Sequence, residues 1–491
     1  MSDAGARNED RQSRAPGGGR GFSAAYAALL LALLLAALDQ LIVATALPRI
    51  VAELHATREL GWIVTAYALT ATLIMPIYGA LSDRLGQTRV FMSALVAFLI
   101  GSAMCGLAPT VGILTVGRAV QGLGGGGLMI GAQSIVALIV PVRQRAAYLA
   151  PLGAVFGVAS VLGPLIGGAL TDSVGWRWIF FINIPLGAAA LVVAGLALRL
   201  PRPAARARFD WAGSVALSTA VTAVVLVCSI GGTVIPWGSP IVLLAVAVAG
   251  AGLVAFIVLE RRVPDPLIPL RLVANRTVLT CSAVALLGNA GMFGIVAYLP
   301  TLFQNIYHVG SIISGLLLLP LSVGLVGCGI IAGRIVARTG RARVLITTGA
   351  VIATVGMGLL ATVTADTSLV VVELFILITA SGLGIYTQLV IVLAQNTAPS
   401  GQMGTVTAFI SFVREIGVTI GIAILGAVFG TRLTVALEQY PTDQVAAYQQ
   451  AFLPLLLVLT VLYGFTVLVT FLVPNRALPD ERSSLDGPHP D

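Results

Sequence analysis

The sequence predicts an all-α integral membrane protein with fourteen transmembrane helices, two repeated sets of six with two extra helices inserted between them. Three observations carry that expectation. Of the 491 residues, 58% are hydrophobic and only 10% charged. Soluble domains carry about 25% charged residues, so this chain has too little polar surface to coat a water-soluble fold. Apolar runs long enough to cross about 30 Å of hydrocarbon number fourteen. A pattern from the first half of the chain also returns, in register, in the second.

The first six runs fall near 24–47, 60–81, 90–108, 111–138, 148–170 and 178–199. A pair follows at 212–232 and 241–259. The last six lie near 279–303, 312–335, 344–363, 368–393, 404–430 and 451–473. The basic N-terminus followed by residues 24–38 has the outline of a secretory signal. No small-residue cleavage site precedes Asp39 and Pro48, so it reads as an uncleaved first helix. The expected divisions are a disordered cytoplasmic tail (1–23), an N-terminal bundle (24–200), linkers and inserted helices (201–277), a C-terminal bundle (278–475) and a second disordered cytoplasmic tail (476–491).

All 28 basic residues are arginine. The absence of lysine excludes a Walker-A ATP site, a Schiff-base enzyme and a lysine general base. The net charge of +8 is scattered among short loops, with no basic stripe that would suit nucleic acid. With both termini in the cytoplasm, 22 arginines fall inside; Arg49, Arg58, Arg177 and Arg432 fall outside, and Arg118 and Arg414 lie within spans. That split fits the positive-inside rule in one direction only. It implies a multi-pass protein with both ends cytoplasmic, and the expected location is a bacterial cell (inner) membrane. The cysteines Cys105, Cys228, Cys281 and Cys328 each sit alone in an apolar run, with neither metal spacing nor a disulfide framework.

The repeat is Gly79-Ala-Leu-Ser-Asp-Arg84-Leu-Gly86-Gln-Thr-Arg89 against Gly333-Arg-Ile-Val-Ala-Arg338-Thr-Gly340-Arg-Ala-Arg343. Gly, Arg, Gly and Arg match at a constant offset of 254 residues. A plain duplication of six helices would place these turns six spans apart. Eight intervene, so the pair at 212–259 is the insert.

These motifs together resemble the major facilitator superfamily, in particular its fourteen-helix drug:proton antiporter branch, over residues 24–475. Leu38-Asp39-x-x-Ile42-Val43-x-x-Ala46-Leu47-Pro48 is similar to that branch's first-helix signature. Residues 79–89 resemble the superfamily's loop motif, with Gln87 and Thr88 in place of the usual basic pair. Leu114-x-x-x-Arg118-x-x-Gln121-Gly122-x-Gly124 resembles the fourth-helix motif associated with proton coupling. Gly163-Pro164-x-x-Gly167-Gly168 resembles the fifth-helix antiporter motif, with Ala159 where another glycine is usual. Trp176-Arg177-Trp178-Ile179-Phe180-x-Ile182-Asn183-x-Pro185-x-Gly187 resembles the start of the sixth helix. The resemblance implies two bundles around a central cavity that opens alternately to each side, with substrate near the midplane.

Three charged residues in spans stand out. Asp39 lies about fifteen positions, roughly 22 Å, into a span that starts inside. An acid at that depth costs about 2.5–3.5 kcal/mol on insertion scales, so it should face a cavity or a partner. It either takes up and releases protons or only pairs with an arginine and holds the bundle together. Arg118 sits at similar depth, about 10 Å below the outer end of helix four. Glu415 is the second intramembrane acid and, with Asp39 and Arg118, a candidate for proton coupling; binding a cationic substrate and carrying a second proton are both open to it. Thr407, Ser411, Glu415 and Thr419 recur every four residues, so the spacing predicts one polar stripe lining water or substrate. Arg414 points about 100° away from Glu415 and need not pair with it.

Tyr67, Gln133, Asn289, Phe293 and Gln388 lie at depths compatible with a substrate cavity, although for each one taken singly packing or helix bridging is the favoured reading. Gly163, Pro164, Gly167 and Gly168 suit a bend or a close helix crossing. Gly79, Asp83, Arg84, Gly86, Arg89 and Arg338 suit a latch at the cytoplasmic helix ends, with Asp83 pairing Arg143 or Arg145. The glycine pattern Gly122-x-Gly124-x-x-Gly127 lies inside a span with no preceding strand, so it is no dinucleotide site. The sequon at Asn275 falls in a cytoplasmic loop.

The expected function is proton-coupled export of amphipathic organic compounds by alternating access, that is, multidrug efflux. The alternative is export of one natural metabolite such as an antibiotic, siderophore or amino acid. The expected partners are a small-molecule substrate, protons and the lipid bilayer, with no cofactor, no metal and no nucleic acid; oligomeric state stays open, with a monomer the simplest case. A membrane enzyme is disfavoured because His55, His308 and His489 lie in outer loops or a tail and form no catalytic cluster. A sensor is disfavoured because the chain carries no sizeable soluble domain.

Overall fold

Every regular element among the described residues is a helix. The structure is a computed structural model, and it describes residues 20–54, 60–142, 144–198, 200, 210–230, 235–398 and 402–475. The tails from 1 to 19 and from 476 to 491, together with Arg143, His55 and Arg58, lie outside the described residues.

We number the helices α1 (Arg20–Leu54), α2 (Leu60–Leu85), α3 (Gln87–Gly106), α4 (Val111–Ile139), α5 (Arg145–Ser173), α6 in two segments (Trp178–Phe181 and Asn183–Ala197), α7 (Trp211–Ile230) and α8 (Pro240–Glu260). After a short turn at Leu270–Val273 come α9 (Arg276–Ile306), α10 in two segments (Ser311–Leu316 and Leu319–Thr339), α11 (Ala342–Leu360), α12 (Leu369–Gln395), α13 (Met403–Gln439) and α14 (Gln444–Thr470). Thirteen of these are long and apolar enough to cross a membrane over the described residues. In α5 an apolar segment is counted over Arg145–Ala159 only.

Helix starts follow local capping chemistry. Thr110 accepts from the Ile113 amide, Ser239 from Val242, Asn275 from Thr277 and Asp443 from Ala446, each satisfying an amide that the helix itself leaves open. Pro240 occupies the first turn of α8, where its missing N–H costs nothing. The turns of the repeat are built on glycine: Gly86 and Gly340 take φ of 96° and 66°, a conformation that penalises any side chain.

Contacts repeat with the sequence. Helix α3 packs on α4, α2 on α4, α1 on α5, α1 on α6 and α3 on α6. Eight positions further on, α11 packs on α12, α10 on α12, α9 on α13, α9 on α14 and α11 on α14. Between these two sets the main crossings are α2 with α13 and α5 with α10, which again correspond by the repeat. Helices α7 and α8 pack mostly on each other, and α7 also touches α2 and α13.

The first glycine of each repeat explains why the motif recurs. At Gly79 a Cβ would stand 2.2 Å from Ala408 Cβ and 2.9 Å from the Gly404 carbonyl on α13. At Gly333 a Cβ would stand 2.4 Å from the Ala147 nitrogen on α5. Each motif therefore lets its helix touch the other half at the end of the molecule that carries Arg84, Arg89, Arg338 and Arg343. We call this the arginine-rich end.

Candidate functional site: a central cavity beside a buried ion pair

Between the halves lies a cavity of about 930 Å³. Its walls come from α1, α2, α4, α5, α7, α9, α10, α12 and α13. At depth it reaches Ala150 and Gly153 of α5, and it runs out to the exposed Val64, Trp237, Thr431 and Thr434 at the end opposite the arginines. The five residues expected in a cavity, Tyr67, Gln133, Asn289, Phe293 and Gln388, all lie on its wall. Gln133 Oε1 accepts from Ser411 Oγ at 3.0 Å and so ties α4 to α13. Gln388 reaches α5 because Gly153 has no Cβ, which would fall 2.6 Å from its Nε2. Asn289 donates back to the Ala285 carbonyl of its own helix at 2.9 Å.

Asp39 and Arg118 meet. Both are essentially inaccessible to solvent, and Arg118 Nη1 donates to Asp39 Oδ2. The pair sits in a closed set of polar side chains. Arg118 Nη1 also donates to Gln121 Oε1 at 2.7 Å, and its Nε to the Ile63 carbonyl at 3.3 Å. Asp39 Oδ1 accepts from Gln121 Nε2 at 2.7 Å and Asn183 Nδ2 at 3.0 Å. Ser102 Oγ accepts from the same two amides at 2.7 and 3.3 Å. A buried carboxylate and guanidinium persist only when their remaining donors and acceptors are satisfied, and α1, α3, α4 and α6 each contribute to doing so. The sequence puts Asp39 and Arg118 at one depth and carries Gln121 and Asn183 inside the fourth- and sixth-helix motifs without showing that they meet the pair, and nothing in it points to Ser102. Gln121 was within reach, because it follows Arg118 by three positions and shares its helix face.

Tyr67 separates this pair from the cavity. Its ring lies 4.4 Å from the Arg118 guanidinium carbon, a cation–π contact. Its hydroxyl donates to the Ala36 carbonyl at 3.4 Å. Space for it comes from Gly125, where a Cβ would stand 2.3 Å from the hydroxyl, and from Gly122, whose Cβ would meet the Tyr67 carbonyl at 2.3 Å. Tyr67 lines the cavity, whereas Asp39 and Arg118 do not.

The polar stripe on α13 divides. Glu415 and Thr419 line the cavity. Thr407 and Ser411 are wholly buried instead, bonded to Gln395 Nε2 at 2.9 Å and to Gln133. The expectation that all four line water or substrate is corrected, because α13 is packed on α2 and α4 along its first half. Arg414 also lines the cavity, and its Nη2 contacts Met129 Sδ at 3.3 Å.

The proposed latch has a different partner. Asp83 does not pair with Arg145, whose Nε donates to the Val140 carbonyl at 3.1 Å; Arg143 lies outside the described residues. Asp83 instead accepts the Gly404 amide at 2.8 Å, the Thr405 amide at 2.7 Å and the Thr405 hydroxyl at 2.9 Å. These are amides of the first turn of α13, which its own N-cap residue Gln402 does not cap with its side chain. An acid at a helix N-terminus satisfies open donors and the helix dipole together. Here it does so across the two halves, beside the Gly79 crossing. Arg84 donates to the Asp265 carbonyl at 3.2 Å, while Arg89 and Arg338 are exposed. Gly163 allows α5 to approach α1 at Leu41, Gly167 is buried, and Gly168 faces open space. The side chain of Pro164 lies outside the described residues.

At the opposite end, Arg177 pairs with Glu53 and lies over Trp176, whose indole donates to Glu53 at 2.7 Å. Arg49 pairs with Asp172 at 2.7 Å.

A helical membrane protein whose two repeat-related halves enclose a cavity, with buried charges beside it, is a transporter in class. The chain belongs to the Major Facilitator Superfamily: the sequence profile of that family matches residues 29–422. It is 35% identical over 404 residues to the multidrug transporter protein MdtP of Bacillus subtilis (strain 168), covering 82% of this chain and 74% of that protein. It is 34% identical over 443 residues to the acurin A biosynthesis cluster MFS-type transporter of Aspergillus aculeatus, covering 88% and 80%. Its fold is like that of the human organic anion transporter MFSD10 (TETRAN), with a TM-score of 0.64 over 92% of this chain and 99% of that one; at 16% identity this likeness concerns the fold alone.

Proposed function

We propose that this protein is a proton-coupled secondary active transporter of fourteen spans, two six-helix bundles and an inserted pair, which exports amphipathic organic compounds by alternating access. The arginine distribution supports placing the arginine-rich end and both termini in the cytoplasm. The conformation described is then open outward, with the cytoplasmic side closed by the Gly79 and Gly333 crossings and by Asp83 on α13.

The observation that carries the coupling is the buried Asp39–Arg118 pair behind Tyr67. A proton that neutralises Asp39 leaves Arg118 without a counter-charge, so protonation and movement of α1 against α4 are linked energetically. A membrane potential adds about 2.3 kcal/mol per charge per 100 mV to such a cycle. In liposomes carrying a pH-sensitive dye, substrate addition should drive proton movement in the wild type. The Asp39→Asn variant should lose it while still binding substrate; a variant that exports uphill at full rate removes Asp39 from the coupling.

The second reading is a dedicated exporter of one metabolite. The relative named for a biosynthesis cluster supports keeping it. A panel of unrelated compounds separates the two, because a multidrug pump responds to several.

A further inference from the structure

The cavity wall carries an arginine and a glutamate side by side, which feel each other's charge but form no direct ion pair with each other or with another described residue. Arg414 and Glu415 are consecutive on α13 and both line the cavity. Arg414 is 7% exposed. Its only hydrogen bond to a described residue runs from Nη2 to the thioether of Met129 at 3.3 Å, a weak acceptor for a group with five donors. Ion pairs among the described residues join Arg49 to Asp172, Arg118 to Asp39 and Arg177 to Glu53, and none involves Arg414 or Glu415. The Glu415 carboxylate accepts no hydrogen bond from a described residue. Only its backbone carbonyl is engaged, by Thr419.

Neighbours on a helix project about 100° apart, so these two side chains present their charges to different sectors of one cavity. Burying a charge without a partner is costly, and the other charged side chain close to the cavity, Arg118, is already matched with Asp39. A molecule that brings an anion to Arg414 and a cation to Glu415 completes both groups at once. The nearby wall is soft and apolar, with Met129, Met292, Phe293 and Val418. Thioethers adapt to varied shapes, while the charges fix orientation.

We propose that the cavity selects amphoteric compounds: a carboxylate or similar anionic group docks on Arg414, a basic nitrogen of the same molecule docks on Glu415, and the apolar body lies on the methionine and phenylalanine wall. This rests on reading the cavity as the substrate site of a transporter, and it narrows the substrate class from amphipathic compounds to those carrying both signs of charge.

Three matched fluorescent probes test it on the purified full-length protein: Nε-dansyl-lysine (zwitterion), its methyl ester (cation) and its Nα-acetyl derivative (anion). The wild type should bind the zwitterion most tightly. Arg414→Gln should weaken the zwitterion and the anion by about tenfold to a hundredfold, the range of a hydrogen bond to a charged group, and leave the ester unchanged or tighter. Glu415→Gln should weaken the zwitterion and the ester and spare the anion. Equal affinity of the wild type for all three probes overturns the proposal without any variant. So does an Arg414→Gln protein, with unchanged melting temperature, that loses all three equally. Proton flux in liposomes is scored separately. Probes that rank as expected but move no protons overturn the coupling and leave this site standing. Proton movement without charge discrimination overturns this site alone.

Discussion

Replacing Gly79 with alanine tests what holds the arginine-rich end shut. The added carbon would sit 2.2 Å from Ala408 Cβ and 2.9 Å from the Gly404 carbonyl. Carbon atoms prefer about 3.5–4.0 Å, so the overlap exceeds an ångström. Neither neighbour is the tip of a flexible chain, so α2 and α13 must separate. Overpacking of this kind costs about 1–3 kcal/mol. Alanine also gains about 1 kcal/mol over glycine in a helix interior, but that gain is common to the open and closed states and cancels between them. Gly430→Ala on α13, where a Cβ meets nothing within 4 Å, isolates that gain. The net effect should fall on the closed state, shifting its population by roughly fivefold or more. Hydrogen exchange of the Gly404 and Thr405 amides reads this directly, because both are bonded to Asp83 only while the halves touch. Exchange should speed up in Gly79→Ala and stay unchanged in Gly430→Ala. If both amides remain as protected as in the wild type, the glycine crossing does not hold that end closed.

Two further outcomes follow from the same geometry. In Tyr67→Ala the ring that stands between Arg118 and the cavity is gone, so a hydrophobic carbodiimide should label Asp39 severalfold faster than in the wild type; unchanged labelling would mean that Tyr67 is no barrier. The hydrogen bond from Arg177, with that from the Trp176 indole, holds the Glu53 carboxyl below its ordinary value. A lowered folded value means that its contribution is present above about pH 4.5 and lost as pH falls through the folded value. The carboxylate is about half exposed, so the contribution is no more than about 1 kcal/mol. Melting of Glu53→Gln and wild type should therefore differ slightly at pH 7 and converge as pH falls through the lowered folded value. A gap that stays constant across the whole acid titration would mean that the ion pair is not its source.

Residue types differ in what they disclose alone. Asp39, Arg118 and Glu415 were visible because charge within an apolar run is costly wherever it sits. The repeat at 79–89 and 333–343 was visible as well, but its meaning was not. Gly79 and Gly333 are there for the space they leave to the opposite half, and the helix that fills that space lies hundreds of positions away for one of them. Asp83 was expected to pair with an arginine because opposite charges attract. The structure gives it instead the open amides of α13, donors that every helix start carries and that no side-chain inventory reveals.

The amino-acid sequence by itself determined the solvent and the repeated plan. Hydrophobic run length and charge depend on composition alone, and every helix in oil must satisfy its own backbone. Only the tertiary structure decided which polar side chains meet. The Asp39–Arg118–Gln121–Asn183–Ser102 set draws on four helices, Tyr67 closes it off from the cavity, and Arg414 and Glu415 stand apart on the cavity wall. Such meetings depend on helix rotation and crossing, which are set by small residues and shape rather than by any local signal.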